Sequence, residues 1–281
     1  MEFGSVAGER EYAALVRAAD HLVVGLDFDG TLAPIVDDPE DARIHPDAGD
    51  VLVALAAQVR AVAVITGRPA RQALDLGGLE GVGNAIGEAG RELFVLGQYG
   101  NERWSSTQRR VISPKPPRGI ATFMGELPRL MRRADAADAW VEEKGLAVAV
   151  HTRRLEDPQG AFERLLPVLS EAAKSHDLGV EPGRWVVEVR AHGMHKGAAV
   201  RRLIEELEAR AFVFCGDDLG DVEAFKAIEE LRGEGFPSLL VCSASDEQTA
   251  LAEMADVVVP GPDGVLDLLR ELTEDIRSAR A

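Results

Sequence analysis

Four short stretches of this chain hold residue types that could do chemistry: DFDGT at 27–31, TGR at 66–68, HKG at 195–197 and GDDLGD at 216–221. Asp27 and Asp29 stand at i and i+2, so on an extended chain their carboxylates point the same way. Gly30 and Thr31 follow and allow a tight turn whose amides can face an anion. An acidic pair at a strand end can also do no more than cap the next turn. GDDLGD adds Asp217, Asp218 and Asp221. Carboxylates clustered in an apolar fold repel one another unless a cation neutralises them, and magnesium prefers oxygen ligands. An acid-rich helix start would explain Asp218 or Asp221 through the helix dipole, but not the pair at 27 and 29. Thr66 has an ordinary reading as a capping hydroxyl in a strand-to-helix turn. Lys196, at the start of a helical pattern, is badly placed for the dipole, which favours a functional role.

Such groups need a scaffold that gathers them, and open parallel sheets bind ligands at the carboxyl ends of their strands. LVVGLDF (22–28) and AVAVIT (61–66) are short apolar runs that predict buried parallel strands. Between them a helical pattern runs from Asp47 to Val59, with Val51, Leu52, Leu55 and Val59 on one face. A second helix opens near Pro69, and GNAIGE (83–88) is a candidate third strand. After Lys196 come a helix over about 196–209, the strand AFVFCGD, the helix VEAFKAIEEL, the strand SLLVC and a last helix over about 264–277. This alternation predicts an α/β fold with a doubly wound parallel sheet. The middle of the chain differs. Residues 105–118 are polar and proline-bearing. A helix (about 119–133), the strands AWVEEK and LAVAVHTR, a helix (about 158–176) and the strands LGVEPG and RWVVEVR then predict an antiparallel sheet with helices on one face. The expectation is a core made of 1–107 and 193–281, interrupted by an α+β insert at 108–192. Polar or glycine-bearing connections at about 105–118 and 191–195 would let it hinge.

Composition narrows the field. The 281 residues suit two cores, and 46% hydrophobic content argues against disorder. A net charge of −17 disfavours nucleic acid and anionic membranes as partners. It would also repel a phosphorylated substrate, so a phosphate site here needs local cations, a metal or pointed amides. Cys215 and Cys242 each end an apolar run and read as buried thiols, consistent with a reducing cytoplasm. No apolar run approaches the roughly 18 residues of a membrane span. MEFGS at the start carries no signal pattern. A monomer is expected.

DFDGT, TGR, the HKG lysine and GDDLGD, in that order, resemble the four motifs of the haloacid dehalogenase superfamily of aspartate-nucleophile phosphatases, and the insert falls where that superfamily places its larger (C2-type) caps. More narrowly, LDFDGTLAPIVDDPEDARI, VEEKGLAVAVHTR and VVEVR…HKG are similar to segments of trehalose-6-phosphate phosphatases. The last motif departs from the common GDD-T-D-E form: Leu219 and Gly220 precede Asp221, and Val222 follows. The resemblance implies a magnesium-dependent phosphatase acting on a small sugar phosphate, trehalose 6-phosphate first. Asp27 would be the nucleophile and Asp29 the acid and base. Magnesium would be held by Asp27, the Asp29 carbonyl and Asp217, with Asp218 and Asp221 close by. Gly30, Thr31, Thr66, Gly67 and Lys196 would hold the phosphate. Glu142, Lys144 and Glu188 would read sugar hydroxyls, with Arg68, His151 and Arg153 nearby. Trp140 and Trp185 are expected in the core of the insert. A phosphatase for another glycosyl phosphate, of the sucrose or mannosylglycerate type, and a catalytically silent regulatory module are the competing readings.

Overall fold

The computed structural model describes residues 6–36, 38–244 and 250–281; the MEFGS start lies outside them. The described residues form two compact units, one of those up to 113 and from 195 onward and one of residues 114–194. The first junction falls later than 107/108 because Arg103 and Ile112 exchange backbone hydrogen bonds, which ties the stretch up to 113 to the core unit.

The core unit runs through α1 (Val6–Arg17), β1 (Leu22–Leu26), α2 (Ala48–Ala56), β2 (Ala61–Ile65), α3 (Ala70–Gly77), α4 (Leu79–Glu88), β3 (Leu93–Gly97) and β4 (Glu102–Ser105). The insert follows as α5 (Arg118–Arg133), β5 (Trp140–Glu143), β6 (Ala147–His151), α6 (Pro158–Ser175), β7 (Gly179–Gly183) and β8 (Val186–Arg190). The chain then returns to the core through α7 (Lys196–Leu207), β9 (Ala211–Gly216), α8 (Val222–Gly233), β10 (Ser238–Ala244), α9 (Ala250–Met254), β11 (Val257–Pro260) and α10 (Gly261–Arg280).

The core sheet has the order β11-β10-β9-β1-β2-β3-β4, parallel except for the β3–β4 pair. Strand alternation sends successive residues to opposite faces. Val24, Val62, Val95, Val213 and Val241 pack with α2, α4 and α10 on one face. Val23, Ala63, Phe94, Phe212 and Leu240 pack with α7 and α8 on the other. Both faces are covered, which is why the strands read as continuous apolar runs and why the doubly wound expectation holds. GNAIGE is not a strand. Leu79, Val82 and Ile86 follow helical spacing, and the segment forms α4, whose apolar side joins the core. The third strand is LFVLG (93–97), buried throughout.

The insert's sheet has the order β5-β6-β8-β7, antiparallel throughout. Val141, Val148, Val150, Val187, Val189 and Val180 face α5 and α6 and form a separate core with Phe123, Leu127, Leu165 and Leu169. Their alternate neighbours leave the other face to polar side chains.

Candidate functional site

The core unit brings the motifs together at the carboxyl ends of β1, β2 and β9. The parallel register carries β1 beside both β2 and β9, so Asp27 follows one strand end and Asp217 its neighbour; the Asp27 amide donates to the Cys215 carbonyl at 2.9 Å. The chain after Asp27 turns sharply, with the Leu32 and Ala33 amides donating to the Phe28 carbonyl at 2.9 and 2.8 Å. Gly30 sits at φ 69, and a Cβ there would run into the Asp217 carboxylate. Only glycine satisfies both demands. Ser243 on β10 donates to the Gly30 carbonyl at 2.6 Å and holds the turn from the far side.

After β9, Asp218 and Asp221 form a reciprocal cap on the turn leading into α8, with the Gly220 amide donating to Asp218 at 2.8 Å and the Asp217 amide to Asp221 at 3.1 Å. The helix-start role of these acids is therefore real, and it coexists with a second one. Lys196, the first residue of α7, places its Nζ 2.6 Å from Asp27 Oδ1 and 2.6 Å from Asp221 Oδ1. His195 precedes it as the helix cap, its Nδ1 accepting from the Ala198 amide at 3.3 Å. All three members of the Asp27–Lys196–Asp221 bridge are buried.

Asp27, Asp217, Asp218 and Asp221 each offer a carboxylate oxygen, and these oxygens all lie within 4.8 Å of one another. Burial drives the Asp27 carboxyl well above the usual carboxylate range, with the charges of Asp221, Asp218 and Asp29 adding and Lys196 opposing. Burial and the same acidic neighbours push Asp217 up to about 10. Burial raises Asp221 to about 6 against the pull of Lys196. Burial alone would lower the Lys196 ammonium, but Asp221, Asp27 and Asp218 outweigh it and hold it well above its ordinary value. The cluster thus gathers more carboxyl groups than the nearby lysine alone can keep ionised. Its donors are all oxygen, which fits a hard divalent cation.

The other motif residues fall around this cluster with separate partners. Asp29 turns its side chain to Arg68, which grips it through two hydrogen bonds of 2.7 and 2.6 Å and also donates to the Pro39 carbonyl at 2.8 Å. Asp29 therefore contributes no carboxylate to the acidic group, and Arg68 is committed to Asp29. Thr66 is buried and its Oγ1 accepts from the Arg68 amide at 3.1 Å, the capping contact that its position suggests. Thr31 is buried as well, and its Oγ1 has no hydrogen-bond partner among the described residues.

On the insert, Glu142, Ala149, Glu188 and Glu181 stand in one row across the sheet. Like charges side by side in a row would be unfavourable, and basic residues intervene. Lys144 Nζ lies 2.7 Å from Glu188 and 3.8 Å from Glu142. His151 Nε2 lies 3.0 Å from Glu142. Arg190 donates to Glu188 at 2.9 Å and to Glu181 at 3.0 Å. Glu142, Lys144, His151 and Glu188 are thus one network. Arg153 lies past the end of β6, exposed in the following turn and outside that network. Arg190 and Glu181 belong to the network but escaped sequence reasoning; the signal was available in the i, i+2 parity of Arg190 with Glu188. Trp140 is no part of the insert's core. It shares parity with Glu142, sits on the polar face 4.5 Å from the His151 ring, and has the Arg154 guanidinium 5.1 Å from its centre. Trp185 is half-buried in the β7–β8 turn at φ 58, edge-on to Phe162.

Among the described residues no helix is long and apolar enough to cross a membrane. A family model for trehalose-phosphatase matches residues 25–260. An uncharacterized glycosyl hydrolase of Mycobacterium tuberculosis is 34% identical over an alignment of 267 residues that covers 91% of this chain and 18% of that protein. The chain thus spans less than a fifth of that relative's length. The probable trehalose-phosphate phosphatase I of Arabidopsis thaliana is 30% identical over 269 residues, 90% of this chain and 68% of that one. Among solved structures, the C-terminal domain of the C. albicans trehalose-6-phosphate phosphatase aligns with a TM-score of 0.73 over 97% of this chain and 98% of that chain, at 19% identity, a likeness of fold.

Proposed function

The chain belongs to the trehalose-phosphatase family, and on that premise we propose that it hydrolyses trehalose 6-phosphate to trehalose and inorganic phosphate, with magnesium as its metal. The observation that carries this reading is the buried Asp27–Lys196–Asp221 bridge inside a cluster of oxygen donors at the strand ends. Asp27 supplies the nucleophilic carboxylate: its oxygen bonds to phosphorus while the phosphorus–oxygen bond to the sugar breaks, leaving an aspartyl-phosphate. Asp29, once released from its pair with Arg68 and protonated, gives that proton to the departing sugar oxygen. In the second step it takes a proton from the water that attacks the phosphoryl group and frees Asp27.

Lys196 lies against Asp27 and meets the charge of the phosphoryl oxygens, joined by the Thr66 hydroxyl, the Gly67 amide and the Gly30–Thr31 turn. The unpartnered, buried Thr31 hydroxyl has a donor to spare for such an oxygen. Asp27, Asp217, Asp218 and Asp221, with the Asp29 carbonyl, would hold magnesium, which when bound offsets the repulsion between a carboxylate and a phosphate dianion. Glu142, Lys144, His151 and Glu188 read the sugar, and their mutual contacts fix which hydroxyls can be met.

The test is phosphate release across a panel of sugar phosphates with magnesium present. Trehalose 6-phosphate is expected to be turned over at least about a hundredfold better than glucose 6-phosphate or sucrose 6-phosphate, since a site built for hydroxyls rejects ligands that leave its polar groups unpaired. Equal turnover of the three would remove the trehalose assignment and leave a phosphatase of other specificity.

A further inference from the structure

The amino ends of β2 and β3, opposite the acidic cluster, border a second polar cavity. Each of these strands has five residues, so at about 3.3 Å per residue the two ends of the sheet lie about 16 Å apart. The cavity has a volume of about 640 Å³, and its charged and amide lining comes from Arg60, Arg91, Arg109, Asn84, Glu88 and Glu92. Arg60 directly precedes β2, and Arg91 and Glu92 directly precede β3. On the wall formed by α4, Gly87 faces open space, and Gly83 lets the helix pack closely against Ser106 and Trp104.

Arg109 is delivered by a tight turn after β4. Its amide donates to the Ser105 carbonyl at 2.8 Å, and its backbone sits at φ 54, a left-handed setting that a non-glycine residue holds at a cost. Its guanidinium donates to Asn84 Oδ1, which holds it in place without neutralising it. Arg60 and Arg91 have no ion-pair partner among the described residues, whereas Arg71, Arg201 and Arg270 elsewhere on the core each meet a carboxylate. Three guanidinium groups against two carboxylates make the cavity net cationic, in a chain whose net charge is −17. A guanidinium presents fixed N–H donors that match phosphate oxygens in pairs. The volume is that of a site for a small organic ligand, and its charged lining suits an anion rich in acceptors.

We propose that this cavity is a second, non-catalytic site for a small anion carrying a diphosphate group, free or esterified, with Arg60 and Arg91 as its main ligands and Arg109 at its edge. Calorimetric titration of the full chain in EDTA, with pyrophosphate and separately with ADP, tests this without recourse to turnover. Saturable binding of either probe is expected; pyrophosphate alone would identify the free anion, and ADP as well the esterified one. Arg60→Gln and Arg91→Gln should each weaken it about tenfold or more, the loss of one charge-assisted contact. Asp27→Asn should leave it unchanged. Thermal unfolding of each variant checks that it is folded, and Arg60→Ala and Arg91→Ala repeat the measurement if a glutamine is poorly tolerated. Absence of binding to both probes at about 10 mM would overturn the proposal. So would affinities unaltered in both arginine variants, which would leave those residues as counter-charges to the C-terminal end of α4. Binding abolished by Asp27→Asn would overturn it too, by locating the probe at the acidic cluster.

Discussion

In the core unit, carboxylates of Asp27, Asp217, Asp218 and Asp221 crowd within 4.8 Å, and Lys196 is the cation bonded to Asp27 and Asp221. On the insert's sheet the acids are matched: Glu142 meets His151 and Lys144, Glu188 meets Lys144 and Arg190, and Glu181 meets Arg190. Both sets include buried groups, so both carry the cost of desolvation. The core leaves that cost unrelieved and so retains a demand for a cation. The insert relieves it internally and so fixes the directions of its polar groups before any ligand arrives. One region is built to be completed, the other to be already in place.

The sharpest way to break this contrast is at the nucleophile. Asp27→Asn should lower turnover of trehalose 6-phosphate by about three orders of magnitude or more. The same change removes a buried like charge, so the thermal unfolding temperature in EDTA should stay level or rise. Near-parental turnover in a clean preparation would dismiss Asp27 as the nucleophile and leave the crowding without a chemical purpose.

The insert should respond the other way. Arg190→Met removes the cation 2.9 Å from Glu188 and the one 3.0 Å from Glu181. Breaking one side of a buried pair costs about 3–5 kcal/mol. Chemical denaturation should register that loss, and Glu188→Gln added to Arg190→Met should recover part of it. If Arg190→Met unfolds like the parent, the insert's network is not the self-sufficient structure described.

Metal provides the next test. Magnesium at about a hundred times its dissociation constant should stabilise the protein by about 2.7 kcal/mol. Asp217→Asn should remove most of that gain, and chelation should stop turnover until magnesium is returned. A melting temperature indifferent to magnesium would mean that the lysine already satisfies the cluster.

The last test is the pH dependence of the metal-free protein. Asp221 and Asp217 have folded values raised to about 6 and about 10 from an ordinary 3.8. A raised carboxyl binds its proton more tightly when folded, so its contribution is complete below the ordinary value and declines as pH rises to the folded one. Stability in EDTA should therefore fall from about pH 4 upward, by up to about 1.4 kcal/mol per pH unit for each group. The Asp221 share ends near pH 6, and the Asp217 share continues to about pH 10. With magnesium in place of the protons the slope should flatten. Parallel curves with and without magnesium would argue that the metal does not share these carboxylates.

Much of the acidic site was legible because its parts are local signatures. A buried parallel strand is a continuous apolar run, so Leu22–Leu26, Ala61–Ile65 and Ala211–Gly216 announce themselves, and the acids just past two of them stand where such sheets bind ligands. GNAIGE misled because its two glycines obscure the helical spacing of Leu79, Val82 and Ile86. β3 was missed as a consequence, although LFVLG has the same apolar character as the other strands. Trp140 was misplaced by reading it as out of parity with the polar residues, when its two-residue spacing to Glu142 puts both on the polar face.

By itself the sequence determined which runs form the core strands and which residue types end them, since composition and short-range spacing suffice for each. Tertiary structure alone decided who meets whom. That Lys196 bridges Asp27 and Asp221, that Asp29 is held by Arg68, and that Arg190 spans Glu188 and Glu181 are consequences of strand order and register. The Lys196 and Arg68 pairings join strands and turns far apart along the chain, whereas Arg190 meets partners two and nine residues away. Periodicity tells a side chain which face to occupy, but only the packed sheet brings another element to the same place on that face.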